Sequence, residues 1–174
     1  MNPTTALAIS AGVMAGLSVP LTSELGVPAW LVFLAWSTYF FCGQRLTALR
    51  AQLPTNLWGV IAGLATFGIA TYFETSVWVT GGIVAITAFT VAKSSRIRML
   101  STAPGSFIGF AMMAASVEVR SESILHFGWS NPAVLAVSAV VLGSLFAIGT
   151  ELITNLLSRG TAEAEKPTSA SPCS

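Results

Sequence analysis

The sequence predicts an all-α polytopic membrane protein with about six transmembrane helices. Hydrophobic residues make up 53% of the 174 residues and charged residues only 9%, whereas soluble domains carry about 25% charged residues. The mean hydropathy is +0.75. A chain of this length holds about six helical spans of roughly 20 residues each, which predicts one bundle over residues 1–158. The polar stretches of the chain separate six apolar segments, at 4–22, 28–43, 57–73, 77–92, 103–117 and 132–157.

The first segment has the length of a secretory signal but is predicted to be a retained helix. No Lys or Arg precedes its apolar run, and further spans follow it directly. It carries Gly12 and Gly16 at GxxxG spacing, and the third segment repeats this spacing with Gly59 and Gly63. Such pairs let two helix backbones approach closely, either within the chain or between the subunits of a homo-oligomer.

The second and fifth segments are the shortest. At about 14–16 residues each they fall below the roughly 17 residues of a full crossing, so each is a short span or a tilted or re-entrant half-span. Pro28 and Pro104 open them and predict helix starts, because proline is tolerated in a first helical turn. Asn56 and Asn131 precede the next spans and are predicted N-caps.

This parallel divides the chain into two halves of three spans. Three is an odd number, so the halves would enter the membrane in opposite directions and form a 3+3 inverted-topology repeat. In transporters with that architecture, short segments at corresponding positions of the two halves indicate the substrate site. The alternative is that the segments resemble one another through apolar composition alone.

The distribution of charges predicts the orientation. Glu24 and Glu74 fall in the first and third connections, on the side where only Arg120 is a positive exception. Cytoplasmic loops collect Lys and Arg, so both termini are predicted to be cytoplasmic, and the polar residues 159–174 form a disordered cytoplasmic tail. The positive residues gather in the second and fourth connections and after the last span: Arg45, Arg50, Lys93, Arg96, Arg98, Arg159 and Lys166.

The residues that are missing argue against an enzyme. The sequence contains no Asp, one His and two isolated cysteines, Cys42 and Cys173. This composition offers no Ser-His-Asp set, no metal-ligand spacing and no disulfide framework, and no phosphate-binding glycine loop is present. No cofactor or metal is expected. A net charge of +1 without a dense basic run also argues against a nucleic-acid partner.

The two short segments offer hydroxyl groups, aromatic rings, sulfur atoms and glycines. We expect their hydroxyls to bind a small neutral solute and their rings to set the width of its path. Helix packing is the alternative explanation, because glycine and serine allow close approach and aromatic rings fill gaps. The two segments are predicted to meet near the bundle centre with their helix starts facing a polar cavity. The predicted pathway residues are Pro28, Trp36, Ser37, Tyr39, Phe40, Pro104, Ser106, Phe107, Phe110 and Met113.

Two titratable residues stand apart from this set. Glu151 lies about four-fifths along the last span, where it is either an interfacial carboxylate that snorkels or pairs with Arg45, or a gating or coupling group. His126 lies in the fifth connection and is either an interfacial aromatic-belt residue or a pH-sensitive gate.

The segment PAWLVFLAWSTYFFCG together with APGSFIGFAMMAA resembles the YcdZ-like family of bacterial inner-membrane proteins, which is labelled a domain of unknown function. The likeness covers about residues 5–157, and its most specific part is the pattern P-G-S-F-I-G from Pro104 to Gly109. The resemblance implies a multi-pass protein of the bacterial inner membrane. It implies no substrate and no catalytic residue.

Two function classes follow. The first is a channel or facilitator for a small neutral or weakly polar solute. The second is a non-transporting membrane scaffold or accessory subunit. Polar side chains facing an internal cavity would favour the first class, and polar side chains facing only neighbouring helices would favour the second.

Overall fold

The computed structural model describes residues 2–43, 48–120, 123–126 and 128–164, with side chains through Ser158. Arg45, Lys166 and Cys173 lie outside the described residues, as does the side chain of Arg159. The described chain is helical and contains no strand. A short 3-10 helix, Arg98–Leu100, precedes the fifth of its α-helices. These are α1 (Pro3–Glu24), α2 (Ala29–Phe41), α3 (Leu49–Tyr72), α4 (Val77–Ser94), α5 (Ala103–Val119) and α6 (Pro132–Ala164).

The helices occupy the six predicted apolar segments. Four of them, α1, α3, α4 and α6, are long and apolar enough to cross a membrane. The other two, α2 and α5, have 13 and 17 residues, which confirms that the second and fifth segments are the short ones. At 1.5 Å per residue, α2 covers about 20 Å of a hydrocarbon layer that is about 30 Å thick. Helix α6 continues to Ala164, into the first residues of the predicted tail.

Three of the predicted helix starts are confirmed. Pro28 is the residue immediately before α2, and Pro104 is the second residue of α5. Asn131 caps α6, because its Oδ1 accepts a hydrogen bond from the backbone N of Ala133 at 2.7 Å. Its Nδ2 also donates to the carbonyl oxygens of Ile124 and His126, at 2.9 and 2.6 Å. These bonds tie the start of α6 to the connection before it.

The predicted N-cap role of Asn56 is wrong. Helix α3 begins at Leu49, so Asn56 lies inside it, and Pro54 is accommodated within the helix as well. The polar residues before the apolar run suggested a loop. They are helical because the bundle buries one side of this stretch, where Gln52, Thr55 and Asn56 are all 0% exposed.

The helices pack as two parallel pairs. In the first pair, α3 lies along α5, with Gly59 against the backbone of Ser106 and Phe110, and Gly63 one turn later against Met113. In the second pair, α2 lies along α6: Gly143 of α6 lies beside Val32, Ala35 and Trp36. Further along this pair, Tyr39 donates a hydrogen bond to Glu151.

The two pairs run in opposite directions, and each carries one flanking helix. Near the start of α5, Thr102 lies beside Cys42 at the end of α2, with 3.7 Å between Oγ1 and Sγ. At the other end of the bundle, Arg120 after α5 donates to the carbonyl of Gly26 before α2, at 3.4 Å. Helix α1 packs on α6, with Met14 against Gly149, and α4 packs on α3.

Candidate functional site

Glycine sets the distance between α3 and α5. A Cβ added at Gly59 would lie 2.6 Å from the backbone nitrogen of Phe110, and one at Gly105 would lie 2.5 Å from Oγ1 of Thr55. A Cβ at Gly109 would overlap the backbone carbonyl of Asn56. The two backbones are therefore in direct contact, as small residues allow in membrane helices. The GxxxG pair of Gly59 and Gly63 serves packing within the chain.

Among the polar side chains buried on α3, α5 and α6 are five that we call the amide cluster: Gln52, Thr55 and Asn56 of α3, Ser106 of α5 and Ser144 of α6. Four of the five are 0% exposed, and Ser144 is 5% exposed. Gln52 extends from the first helix pair to the second. Its Nε2 donates to the carbonyl of Ala35 at 3.0 Å and to Oγ of Ser144 at 2.9 Å. Gln52 and Ser144 therefore join the two pairs, whereas the backbones of Asn56 and Ser106 lie in the contact between α3 and α5.

Several polar atoms of the amide cluster have no hydrogen-bond partner. Both Nδ2 and Oδ1 of Asn56 are buried and unpaired, as are Oε1 of Gln52 and Oγ of Ser106. Other hydroxyls are satisfied by their own helix, since Oγ1 of Thr55 donates to the carbonyl of Ala51 at 2.7 Å. An unpaired buried polar group costs about 1–3 kcal/mol in proteins. The cluster is therefore costly for the fold, since the donor and acceptor atoms of Asn56 are both unpaired.

The predicted residues of α2 belong mainly to the contact with α6. Trp36 is 5% exposed and lies near Phe146 of α6, with ring centroids 6.3 Å apart, and near Phe40 at 6.4 Å. Tyr39 is fully buried and bonded to Glu151. Ser37 donates to the carbonyl of Leu34 in its own helix at 2.7 Å. These side chains therefore contact neighbouring helices or their own helix.

The predicted residues of α5 point in different directions. Ser106 joins the amide cluster, whereas Phe107 is 42% exposed on the outer surface of the bundle. Phe110 lies against Phe67 of α3, with ring centroids 5.7 Å apart. Met113 is fully buried beside Gly63. Of the four, Ser106 is the residue that the structure brings to the amide cluster.

The two short segments lie side by side in opposite directions, as predicted, but the prediction that their helix starts face one polar cavity is wrong. Helices α2 and α5 are adjacent and oppositely directed, but Pro104 lies at the end of the bundle where α2 finishes, as the contact between Thr102 and Cys42 shows. Pro28 lies at the other end, near Arg120. The starts lie apart because the helices overlap along their full lengths. Their dipoles therefore cannot converge on one cavity.

The two titratable residues lie in different surroundings. Glu151 is half-buried and accepts a hydrogen bond from Tyr39, whereas the pairing with Arg45 falls outside the described residues. His126 is exposed, and its backbone carbonyl helps to hold Asn131. The tyrosine partner places Glu151 within the contact between α2 and α6.

A cavity of about 800 Å³ lies at the end of the bundle where α1 finishes and α6 begins. Its walls come from the connection between α1 and α2 and from the first turns of α6, with Arg120 and Trp129 beside them. None of the predicted pathway residues lines it. The cavity and the amide cluster are therefore separate features.

Sequence reasoning missed Gln52, Thr55 and Ser144. The first two precede the apolar run that marked the third span, so they were assigned to a connection. A signal was present, because Thr55 and Asn56 follow Gln52 by three and four residues and Gly59 follows them by four and three, which places the four residues on one face of a helix.

Three comparisons place the chain among known proteins. The family model described as "Protein of unknown function (DUF1097)" matches residues 8–155. The chain is 34% identical over 113 residues to a protein of Escherichia coli strain K12 named "Inner membrane protein YcdZ", covering 63% of this chain and 68% of the relative. It is 31% identical over 113 residues to the protein of the same name from Salmonella typhimurium, covering 63% and 69%. No solved structure matches the chain.

Proposed function

The chain belongs to the DUF1097 family of proteins of unknown function, and we propose that it is a membrane facilitator for a small neutral solute. Two relatives are named inner membrane proteins, and four of the described helices are long and apolar enough to cross a membrane. Both facts support a membrane protein. The transport role is our own step, and it depends on the amide cluster.

The unpaired amide of Asn56 is the observation that carries the proposal. Inside a membrane, an unsatisfied polar group costs several kcal/mol, because no water or lipid headgroup can replace the missing partner. A side chain that only packed α3 against α5 would be better as leucine or alanine. Asn56 instead presents one donor and one acceptor, which suits a solute that carries both, such as a small amide or polyol.

The charges around the amide cluster favour a neutral solute. Its members are amides and hydroxyls, and the nearest carboxylate along α6 belongs to Glu151, about two turns beyond Ser144 and bonded to Tyr39. An ion that entered the amide cluster would lose its hydration shell, and the cluster holds no opposite charge to compensate for that loss. A neutral solute would replace its hydrogen bonds to water with bonds to Asn56 and Ser106.

The packing supports a 3+3 inverted-topology repeat with six spans. Each half supplies one member of both parallel pairs: α2 of the first half lies along α6, and α5 of the second half lies along α3. The flanking contacts correspond too, since α1 packs on α6 and α4 packs on α3. If α1, α2 and α3 are exchanged with α4, α5 and α6, the same helix pairs are in contact. In transporters with this symmetry, the site lies at the interface of the repeats, where the amide cluster is found.

Gln52 would control access to the amide cluster. It provides hydrogen bonds between the two pairs, to Ala35 and Ser144, whereas contacts within the α3–α5 pair are made by backbone against glycine. The pairs would therefore move as units, and the interface would open when the Gln52 bonds break together with the Thr102–Cys42 and Arg120–Gly26 contacts at its two ends. With both termini cytoplasmic, this movement would expose Asn56 to either side in turn.

The second candidate function is a scaffold or accessory subunit. The predicted side chains of α2 favour it, because they contact neighbouring helices or their own helix and no predicted pathway residue lines the cavity. The outer surface of the bundle favours it too. Helix α4 buries only Val91, and a Cβ added at Gly81 or Gly82 meets nothing within 4 Å. The same is true of Gly12 and Gly16 in α1. These open glycines would allow close helix contacts with another subunit or another membrane protein.

Solute flux distinguishes the two functions. The full-length protein is reconstituted into liposomes, and the uptake of urea, acetamide and glycerol is followed by light scattering, with potassium chloride as the charged comparison. We expect at least one neutral solute to enter faster than in protein-free liposomes, with no faster entry of the salt. Equal rates for all three neutral solutes with and without protein would favour the scaffold.

A further inference from the structure

The cavity beside α6 combines an apolar wall with two charges. Val134, Ser138 and Leu142 line it at intervals of four residues, so the wall extends about 12 Å along the helix. On the same side of α6, Val137 and Val141 are 40% and 48% exposed. This surface faces away from the buried contact with α2. It therefore faces the lipid that would surround the bundle.

Glu24 and Arg120 lie at the mouth of this cavity. The Arg120 guanidinium donates to the carbonyl of Gly26 at 3.4 Å, while its buried Nε has no hydrogen-bond partner. Trp129 lies beside them and is 91% exposed. Tryptophan of this kind sits at the level of the lipid headgroups in membrane proteins. Among the described residues that line the cavity, Glu24 is the acidic group and Arg120 the basic one, so this end of the cavity is an interfacial site that offers both charges.

We infer that this cavity, which we call the lipid crevice, binds a phospholipid with an ethanolamine headgroup. The guanidinium of Arg120 suits the phosphate, because planar N–H donors bind phosphate oxygens well. The carboxylate of Glu24 suits the primary ammonium of ethanolamine. One acyl chain lies on the wall formed by Val134, Val137 and Val141. This site does not depend on solute transport, since no member of the amide cluster lines it.

The two charges also predict selectivity. An anionic lipid such as phosphatidylglycerol satisfies Arg120 but offers no cation to Glu24. Diacylglycerol offers chains without a phosphate, and free phosphorylethanolamine offers the headgroup without chains. Only phosphatidylethanolamine uses both charges and the apolar wall.

Native mass spectrometry of the full-length protein in detergent tests this inference. The protein is titrated separately with dioleoyl phosphatidylethanolamine, dioleoyl phosphatidylglycerol, dioleoylglycerol and phosphorylethanolamine, and bound adducts are counted. We expect one phosphatidylethanolamine to be retained. Phosphatidylglycerol should bind roughly tenfold more weakly, the loss expected for one charge-assisted hydrogen bond, and dioleoylglycerol and phosphorylethanolamine should bind more weakly still. Equal retention of phosphatidylethanolamine and dioleoylglycerol would overturn the headgroup assignment. Equal binding of phosphorylethanolamine would overturn the role of the acyl chain.

Two variants locate the site, each with a matched control. Arg120→Gln removes the phosphate partner, and Arg98→Gln removes an arginine on the other side of the predicted topology. Val137→Trp places a large ring in the cavity and leaves Glu24 and Arg120 unchanged. Leu145→Trp is its control, because Leu145 lies farther along α6, is 57% exposed and does not line the cavity. We expect roughly tenfold weaker phosphatidylethanolamine binding in the first variant of each pair and unchanged binding in its control. Wild-type retention in both Arg120→Gln and Val137→Trp would refute the lipid crevice.

Discussion

Replacing Asn56 with leucine should make the protein more stable. The side chain is 0% exposed, and neither its Nδ2 nor its Oδ1 has a hydrogen-bond partner. Leucine keeps the branching of asparagine at Cγ and has no polar atom, so it removes the desolvation cost, while its larger volume offsets part of that gain through tighter packing. Unpaired buried groups cost about 1–3 kcal/mol. We expect the free energy of unfolding to rise by about 1–3 kcal/mol, a gain limited by partners that the amide finds in the unfolded state.

Gln52→Leu is the matched comparison, because it removes an amide that is bonded. Its Nε2 makes hydrogen bonds to Ala35 and Ser144, while its Oε1 is unpaired. Losing two bonds of about 1 kcal/mol each offsets the relief of one unpaired oxygen, which is worth about 1–3 kcal/mol, so stability should stay within about 1 kcal/mol of the wild type. Gln52→Leu should therefore gain less stability than Asn56→Leu.

Unfolding in mixed micelles with increasing dodecyl sulfate measures both changes, with helix content followed by circular dichroism. Thr90→Val serves as the control, since Thr90 is exposed on α4 and donates within its own helix to Ile86. Its stability should match the wild type within about 0.5 kcal/mol. A loss of 1 kcal/mol or more in Asn56→Leu would show that the amide is bonded in the folded protein, and the reasoning about the amide cluster would fail.

Other substitutions test the packing and the topology. Gly109→Ala should destabilise the protein by about 1–3 kcal/mol in the same unfolding assay, because the added Cβ overlaps the α3 backbone. Gly68→Ala is the control and should be neutral or slightly stabilising, since its Cβ meets nothing within 4 Å. Tyr39→Phe should cost about 1–3 kcal/mol by removing the hydrogen bond to a carboxylate of α6; an unchanged unfolding midpoint would show that this bond contributes nothing. Asn131→Ala should lower stability by about 1–2 kcal/mol, since it removes the cap of α6, and the same midpoint measures it. A reporter enzyme fused after residue 160 should be active only on the cytoplasmic side, and activity on the opposite side would contradict the six-span topology.

The sequence was sufficient to predict the helices but not the contacts between them. Apolar runs bounded by polar stretches located all six described helices, and Pro28, Pro104 and Asn131 marked three of their starts. The start of α3 was missed because burial stabilises a helix through Gln52 and Pro54 that local composition does not favour. Tertiary packing commonly overrides such weak local preferences.

The candidate site was harder to predict, because its position depends on which helices pair. The short segments α2 and α5 were expected to face each other across a cavity. Each instead lies mainly along a long helix of the opposite half, so Trp36 and Tyr39 face α6 and the glycines of α5 face α3. Periodicity shows which residues share a helix face. It does not show which partner that face contacts.

The rate of neutral-solute entry in Asn56→Leu liposomes tests the central claim most directly. The solute that the wild type moves fastest is used, and Asn56→Leu and Thr90→Val are compared at equal amounts of folded protein. We expect Asn56→Leu, although at least as stable as the wild type, to conduct roughly tenfold less, since a lost solute hydrogen bond costs about 1.4 kcal/mol. Thr90→Val should conduct normally. Wild-type flux in Asn56→Leu would contradict the central claim and leave the amide cluster as a feature of helix packing.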